Sequence, residues 1–223
     1  ALTIGVALVS AVAIIGNGLK TSASAAVDEL VSANLIVTAS DGWSPIDAEA
    51  PGAAAKAAGV QAATSIRGEE AKAFGQTSGV DGLDPASAGK VIAFDWTEGS
   101  DATLTGLDGR EAIVVDSFAT EHGLELGSTF EIQTRAKGKL ELTVAGIHRR
   151  HPFNPLYLGE IAIANATYDR YFETATPRMA FIATDGDEAA TKAIRAELAP
   201  YKGVEVKTID AYNAEQRKQF DQV

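Results

Sequence analysis

Apolar residues dominate the first part of the chain. The stretch ALTIGVALVSAVAIIGNGLK, residues 1–20, carries no charged side chain before Lys20. Its apolar part, up to about Gly16, is shorter than the roughly 20 residues that span a bilayer. It also lacks the basic leading region and the clear small-residue cleavage site of a signal peptide. The pattern predicts the last turns of a membrane helix, and a buried N-terminal core helix is the alternative.

Helical spacing of apolar residues continues into the following segment. The charged side chains there lie off the apolar stripe, as expected for an amphipathic helix. The stripe consists of Leu19, Ala23, Ala26, Val27 and Leu30. We therefore predict that the membrane helix continues as a stalk that ends near Asn34.

A strand–helix–strand pattern follows the stalk. The run LIVTAS, residues 35–40, is almost wholly apolar and predicts a buried strand, and DGWSP after it predicts a turn. Pro51 suits the first turn of a helix and Gly59 suits its end, which predicts a helix over residues 51–58. The run VQAATSIR, residues 60–67, predicts a second strand.

The same pattern recurs near the other end of the chain. RMAFIAT, residues 178–184, predicts a strand, and Asp185 or Asp187 is placed to cap the next helix. This helix ends at Pro200 and has an apolar face formed by Ala190, Ile194 and Leu198. After Gly203, VEVKTID predicts a strand. Each half has too little core to stand alone. We therefore predict that the halves pack into one sheet-and-helix layer, with the middle of the chain inserted between them; chance similarity is the alternative.

The middle of the chain predicts a β-rich unit. Strands are predicted within AGKVIAFDW (residues 88–96), EAIVVD (111–116) and EIAIA (160–164), and residues 97–110 are turn-rich and expected to be exposed. The firmest signal is a hairpin, in which FEIQT and LELTVAGIH flank the tight turn AKG.

Short helices are predicted within this unit and at the end of the chain. Asp116 or Ser117 is placed to cap SFATEH, which Gly123 ends as a left-handed cap. Asn165 is placed to cap ATYDRYF; it also begins a glycosylation sequon, but we favour the capping role. Residues 210–223 predict a mostly polar helix, either a second stalk or a frayed tail.

The chain is acidic and has no cysteine, which limits the classes of function. Its 223 residues carry a formal net charge of −11 at pH 7. An acidic surface repels phosphate backbones, so nucleic-acid binding is not expected. Without cysteine, the chain has no disulfide, cysteine-ligated zinc, iron–sulfur cluster or catalytic thiol.

Two histidine-containing segments are candidates for chemistry. His122 follows Glu121 and could act with it as base and acid, but a helix C-terminus favours a cationic side chain on dipole grounds alone. The loop from His148 to Pro155 holds a basic cluster with two histidines three residues apart. No carboxylate or third histidine lies at metal-ligand spacing. We interpret it as a solvated loop; the alternative is a contact point for an acidic partner, a lipid headgroup or a neighbouring subunit.

The remaining polar residues form no catalytic pattern. Ser117 and Ser128 lack a GxSxG setting, and the chain contains no GxxxxGK[ST] phosphate loop. The paired carboxylates are interpreted as exposed surface: Glu69 with Glu70, and Asp187 with Glu188. We therefore assign no catalytic, cofactor-binding or metal-ligating residue and predict that the chain is not an enzyme.

Several segments, taken in order, resemble the extracytoplasmic domain of ABC-transporter permeases of the MacB/FtsX/LolE type. They are KTSASAAVDELVSANLIVTAS, FATEHGLELGSTFEIQT, LTVAGIH and IAIANATYDRYF, and the resemblance covers almost the whole chain. The family typically has a Gly-Leu-x-x-Gly-Asp-x-apolar turn and strand, followed by a returning Val-x-Gly-apolar strand. Ser128 stands where that pattern usually has Asp.

The resemblance implies an α+β fold in which two flanking β-α-β pieces form a porter-like subdomain around an inserted β-rich, sabre-like subdomain. The implied parts are residues 1–34 (end of a transmembrane helix and stalk), 35–96 (porter-like, first part), 97–174 (sabre-like), 175–209 (porter-like, second part) and 210–223 (stalk toward the next transmembrane segment).

The resemblance also implies a location and partners. The domain would lie on the extracytoplasmic side of the cell membrane and would pair, through its membrane part, with a second permease subunit. ATP would be bound by a partner ATPase subunit and no cofactor by this chain, and the domain would act on an extracytoplasmic client. The alternatives are a pilin-like or singly anchored structural or binding protein, and a secreted enzyme or solute-binding protein.

Overall fold

The computed structural model describes residues 31–42, 44–150, 158–173 and 176–220, with side chains to residue 215. The expected transmembrane helix and most of its stalk lie outside these residues. Residues 31–34, expected as the end of the stalk, are not helical. Instead Val31 pairs with Ile92 in an isolated bridge, and both side chains are buried in the core. The stalk prediction is therefore wrong for these residues, because the apolar side chain of Val31 packs inward.

The described residues form a mixed fold with one large sheet, which confirms the predicted α+β class. The strands are β1 (Leu35–Ala39), β2 (Val60–Ala73), β3 (Gln76–Leu83), β4 (Trp96–Glu98), β5 (Glu111–Val115), β6 (Thr129–Thr134), β7 (Gly138–His148), β8 (Ile161–Ala164), β9 (Met179–Thr184) and β10 (Val204–Thr208). The helices are α1 (Ala50–Ala55), α2 (Ala88–Val91), α3 (Asp101–Gly106), α4 (Asp116–His122), α5 (Asn165–Tyr171), α6 (Glu188–Leu198) and α7 (Ile209–Phe220).

The strand order is β10-β1-β9-β2-β3-β8-β5-β7-β4, and β6 pairs with both β2 and β7. The two flanking pieces interleave, because β1 from the first piece lies between β9 and β10 from the second. Their helices α1 and α6 cover the same face of this sheet, where Ala50, Ala54 and Ile194 share one apolar cluster. The prediction that the two halves form one layer is confirmed.

Strand β2 connects the flanking strands to the inserted ones. Its first part pairs with β9 and its second part with β3, and its last residues pair with β6. Strand β2 extends beyond its predicted end at Arg67, and β3 was not predicted. The hairpin between β2 and β3 has its turn at Phe74 and Gly75, whose φ angles are both positive. Such a turn usually has Asn or Gly, rather than Phe, at its first position. The subdomain boundaries at residues 96/97 and 174/175 stay predictions.

The middle of the chain confirms its firmest signals and corrects two others. The β6–β7 hairpin and the left-handed cap at Gly123 (φ 62°) are present as predicted. Residues 88–96 do not form one strand, because Ala88–Val91 is helical and only Trp96 enters β4. A short apolar run does not by itself distinguish a buried helix from a buried strand. Residues 97–110 are not wholly exposed, since Leu104 of α3 is 1% exposed.

Helix caps were predicted with mixed success. Asp187 accepts a hydrogen bond from the backbone N–H of Ala189 at 3.1 Å, as expected for the N-cap of α6. The cap assigned to Asn165 is wrong: the N-cap position of α5 is Ala164, and no side chain caps it. Helix α4 likewise begins after Val115 without a side-chain cap. Both predictions failed because the helix starts one residue earlier than its polar residue suggests.

Candidate functional site

Residues 31–34, which lead into β1 and are called the incoming segment, lie beside residues 209–215, which follow β10 and are called the outgoing segment. Both lie at one edge of the sheet. Strand β1 follows the incoming segment and pairs along its whole length with β10, which leads into α7. The backbone N–H of Ile209 donates to the carbonyl oxygen of Asn34 at 3.1 Å. Tyr212 in the first turn of α7 is 9% exposed and packs into the same core as Val31. The two segments are thus attached to one rigid element.

The side chain of Asn34 extends this junction to β9. Its amide Nδ2 donates to Thr184 Oγ1 at 2.8 Å, and its Oδ1 accepts from the backbone N–H of Thr184 at 2.8 Å. One residue therefore contacts the incoming chain, the outgoing chain and the end of a central strand. A displacement of either segment would therefore act on β9 through Asn34.

A lysine links β10 to α7. Lys207 Nζ lies 2.7 Å from Glu205 Oε1 and also contacts Glu215 of α7. Burial lowers the pKa of Lys207, but hydrogen bonds to the two carboxylates outweigh this and raise it above the usual value. The Lys207 side chain is only 15% exposed. Its ion pair with Glu215 connects β10 to helix α7.

A second junction, around Asp81, joins the flanking and inserted strands. Asp81 of β3 is 2% exposed and is the only carboxylate among the buried residues of the described chain. Its Oδ2 accepts from the backbone N–H of Gly159 at 2.6 Å, and its Oδ1 lies 3.7 Å from Arg178 Nη2. Burial raises the pKa of Asp81 to about 6, against the lowering effects of the Gly159 hydrogen bond and Arg178.

A pair of glycines and an ion pair complete this junction. Glu160 Oε2 accepts from the backbone N–H of Gly79 at 2.7 Å, and its Oε1 accepts from Arg150 Nη2 at 2.8 Å. Burial alone would raise the pKa of Glu160, but these bonds lower it overall. A Cβ atom on Gly159 would clash with the backbone of Gly79. The chain entering β8 is therefore held against β3 at van der Waals distance.

Arg67 and Tyr168 form the adjoining part of the junction. Arg67 donates to Asp169 Oδ1 at 2.6 Å and to Asn165 Oδ1 at 2.7 Å, and its guanidinium lies 5.3 Å from the Tyr168 ring centroid. The predicted capping residue Asn165 is thus a partner of Arg67. Thr167 of the sequon is 3% exposed, so the hydroxyl-bearing residue of the sequon is buried in the domain.

The basic cluster in the loop from His148 to Pro155 is not a free basic surface where it is described. His148 is 9% exposed, and its ring packs edge-on against Phe94 at 5.2 Å. Burial lowers the pKa of His148, and its Nδ1 lies 3.1 Å from the carbonyl oxygen of Arg149. Arg149 forms an ion pair with Asp95 at 2.9 Å. The interpretation as a solvated loop is wrong for His148; His151 to Pro155 lie outside the described residues.

His122 stacks against an exposed aromatic residue. Its ring lies 4.1 Å from that of Phe74, with 15° between the ring planes. Phe74 is 50% exposed. Glu121 accepts from Gln76 Nε2 at 3.1 Å rather than from His122. The base–acid reading of Glu121 and His122 therefore gains no support from the geometry.

The other candidates are local structural contacts. Ser117 and His122 line a shallow polar cleft of about 140 Å³ together with Arg150 and Glu160. Ser128 Oγ accepts from the backbone N–H of Glu125 at 2.9 Å, which stabilises the turn before β6. Within residues 31–42, 44–150, 158–173 and 176–220, no three His, Asp or Glu side chains are grouped so as to hold a metal ion.

Two of the four paired carboxylates make local contacts. Glu70 pairs with Arg135 at 3.3 Å, and Asp187 caps α6. Asp81 and Arg178, the central pair of the second junction, are not predicted by any sequence pattern. GVDGLD has the composition of a turn, and no local signal indicates that its first Asp is buried.

No helix within the described residues is both long enough and apolar enough to cross a membrane.

Comparison with known proteins places these features in a family. A family model for the MacB-like periplasmic core domain matches residues 1–201. No curated protein sequence matches the chain.

Solved structures of similar fold include three domains of transport proteins. The periplasmic region of MacB from Actinobacillus actinomycetemcomitans is 10% identical, with a TM-score of 0.57 over 85% of this chain and 94% of that one. The extracellular domain of the ABC-type transporter YknZ from Gram-positive bacteria is 15% identical, with a TM-score of 0.53 over 78% and 98%. A domain of a putative permease protein from Porphyromonas gingivalis is 13% identical, with a TM-score of 0.51 over 82% and 88%.

Proposed function

The chain belongs to the family of MacB-like periplasmic core domains, as the extracellular domain of an ABC-transporter permease, and from this premise we propose that it relays conformational change between membrane helices and an extracytoplasmic client. ATP is hydrolysed by a partner ATPase subunit in the cytoplasm, and a second permease subunit pairs with this one through the membrane part. The domain itself catalyses no reaction and binds no cofactor. The family match argues against the pilin-like alternative.

One observation carries this proposal: the incoming and outgoing segments meet on the same sheet edge. Asn34 contacts both Ile209 and Thr184, so a movement of either segment reaches β9 directly. Strand β9 in turn pairs with β2, and β2 continues into the inserted strands. A continuous hydrogen-bonded sheet transmits displacement as a rigid body, as in hinge and shear motions of domains.

Placement outside the cytoplasm can be tested by cysteine labelling, because this part of the chain contains no cysteine. In the full-length permease, freed of any other cysteine, Arg135→Cys introduces a thiol at a side chain that is 75% exposed. We expect a membrane-impermeant maleimide to label it in intact cells. Ile132→Cys, 0% exposed on the same hairpin, is the matched control and should react only after denaturation. Labelling of Arg135→Cys only after lysis would exclude the proposed placement.

Coupling can be tested by hydrogen exchange on the full transporter in lipid nanodiscs. We expect exchange at residues 31–34 and 209–215 to differ between the nucleotide-free and the ATP-trapped transporter. The Asn34→Ala variant should show a smaller difference in β9, because it removes the contact between the segments and Thr184. Identical exchange in the two nucleotide states throughout the domain would rule out coupling.

A further inference from the structure

The junction around Asp81 brings together three segments that are distant in sequence. Asp81 lies on β3, Gly159 precedes β8, and Arg178 precedes β9. Both oxygens of the Asp81 carboxylate are used, Oδ2 by the Gly159 N–H and Oδ1 by Arg178 Nη2. The backbone N–H of Arg178 also donates to the carbonyl oxygen of Ile66 in β2. The carboxylate therefore contacts the chain at both points where it returns from the loops to the sheet.

On the β2 side, the carboxylate of Asp81 lies against a glycine. Gly68 is the cross-strand neighbour of Asp81. A Cβ atom at Gly68 would lie 2.5 Å from Asp81 Oδ1 and 2.7 Å from Arg178 Nη2. The ion pair lies over the glycine because no side chain occupies that position.

The charges around Asp81 are mixed, so its ionised form is only partly stabilised. Arg178 and Arg150 favour the carboxylate, while Glu160 disfavours it. The charged and titratable groups on the elements packed around it are Arg67 and Glu69 of β2, Arg150 after β7, Glu160 before β8, Tyr168 of α5 and Arg178 before β9. The pKa of Glu160 is lowered and that of Tyr168 is raised, and arginine stays protonated.

Neither Glu160 nor Tyr168 therefore changes charge near pH 6, whereas Asp81 does. Protonation of Asp81 keeps an oxygen that can accept the Gly159 N–H bond. It removes the charge that attracts Arg178, whose side chain is 40% exposed. The two contacts of the carboxylate thus respond differently to a proton.

We propose that Asp81 and Arg178 form a proton-controlled contact between the inserted and flanking strands, closed when Asp81 is ionised and open when it is protonated. The contact goes beyond the proposed function, because it depends on the fold of the domain and not on the client. An extracytoplasmic domain is exposed to changes of external pH, so acidification would loosen the chain entering β9 while the sheet stays paired.

The test is hydrogen exchange on the full-length permease, corrected for the intrinsic pH dependence of exchange, from about pH 7.5 to about pH 5. In the unmodified protein we expect the peptide that contains Arg178 to lose protection with a midpoint near pH 6, while the peptide that contains Gly159 stays protected. Asp81→Asn mimics the protonated acid, so the Arg178 peptide should be less protected at all pH values and show no midpoint. Asp108→Asn, the same change at an exposed residue, should behave like the unmodified protein.

A second variant separates the ion pair from the buried acid. Arg178→Gln removes the ion pair and leaves Asp81 in place, so the peptide that contains residue 178 should be less protected at all pH values and show no midpoint. Arg178→Lys keeps the charge and should retain a midpoint near that of the unmodified protein. Protection that is independent of pH in the unmodified protein, or an unchanged midpoint in both Asp81→Asn and Arg178→Gln, would overturn the proposal. Neither result bears on whether nucleotide alters exchange at residues 31–34.

Discussion

Asn34 and Thr184 are joined by two reciprocal hydrogen bonds, each of 2.8 Å, one to the hydroxyl and one from the backbone N–H of Thr184. The residues are 150 positions apart in sequence. This pair joins the two flanking pieces, because Asn34 precedes β1 of the first piece and Thr184 ends β9 of the second. The carbonyl oxygen of Asn34 also accepts from Ile209, so the outgoing helix starts at the same point.

The first prediction concerns this pair. Asn34→Ala removes both side-chain hydrogen bonds and should lower the free energy of unfolding by about 1–3 kcal/mol. Urea denaturation of the domain would measure the change. Ser32→Ala is the matched control, because Ser32 is exposed and bonds Val91 only through its backbone; it should stay close to the unmodified protein. Equal midpoints for the two variants would contradict the role given to Asn34.

The second prediction uses two glycines with opposite surroundings. Gly68→Ala places a methyl group against Asp81 and Arg178 and should destabilise the domain by about 1–3 kcal/mol. Gly52→Ala adds a methyl group in helix α1, where no atom lies within 4 Å of the added carbon apart from the adjacent residues and the helix's own backbone. It should stabilise the domain by about 0.5–1 kcal/mol, because alanine is the better helix former. Thermal denaturation would show shifts of opposite sign; a Gly68→Ala variant at least as stable as the unmodified domain would mean that the space at Gly68 is not limiting.

The third prediction concerns the pH dependence of stability. The pKa of Asp81 is about 6 in the folded domain, against an ordinary value of 3.8 for an aspartate in water, so the folded state binds the proton more tightly. The stabilisation due to this proton is complete below the unfolded pKa and is lost as pH rises through about 6. It amounts to about 3 kcal/mol, since one pKa unit corresponds to about 1.4 kcal/mol.

The measurement is the difference in unfolding free energy between the unmodified domain and Asp81→Asn from about pH 4 to about pH 7. A difference is needed because His148 acts in the opposite sense. Its pKa is lowered by burial, so its contribution is present above the unfolded pKa and is lost as pH falls. A difference that does not change with pH would show that Asp81 has an ordinary pKa.

The fourth prediction concerns the hydroxyl of Tyr168. The ring is fully buried, and among the described residues the hydroxyl has no hydrogen-bond partner. Tyr168→Phe removes a buried polar group and keeps both the stacking on Phe172 at 4.5 Å and the contact with Arg67. It should be neutral or stabilise the domain by about 1 kcal/mol. Tyr168→Leu, which loses the ring, should destabilise it; a strongly destabilised Tyr168→Phe would reveal a partner for the hydroxyl.

Local patterns in the sequence were sufficient for the elements whose signals are themselves local. The apolar face of Ala190, Ile194 and Leu198 predicted α6, and these three side chains are buried. Alternation in β6 and β7 predicted a hairpin, because side chains of a strand point alternately to its two faces. The same reasoning failed for residues 88–96, where Val91 and Ile92 fill the core from a helix and a bridge. Burial there is decided by neighbours that are far away in sequence.

Periodicity and composition predicted the repeated strand–helix–strand pieces and the absence of cysteine chemistry, because they report local preference, whereas the α+β class was implied by the resemblance to the family. Three features emerge only when the chain is folded: β1 lies between β9 and β10, β2 continues into the inserted strands, and Asp81 lies beside Arg178. These contacts join residues that are far apart in the chain, and their register depends on which faces are buried when all strands pair. From the sequence alone, the buried Asp81 in GVDGLD cannot be distinguished from an exposed turn residue, because its strand neighbours are not known.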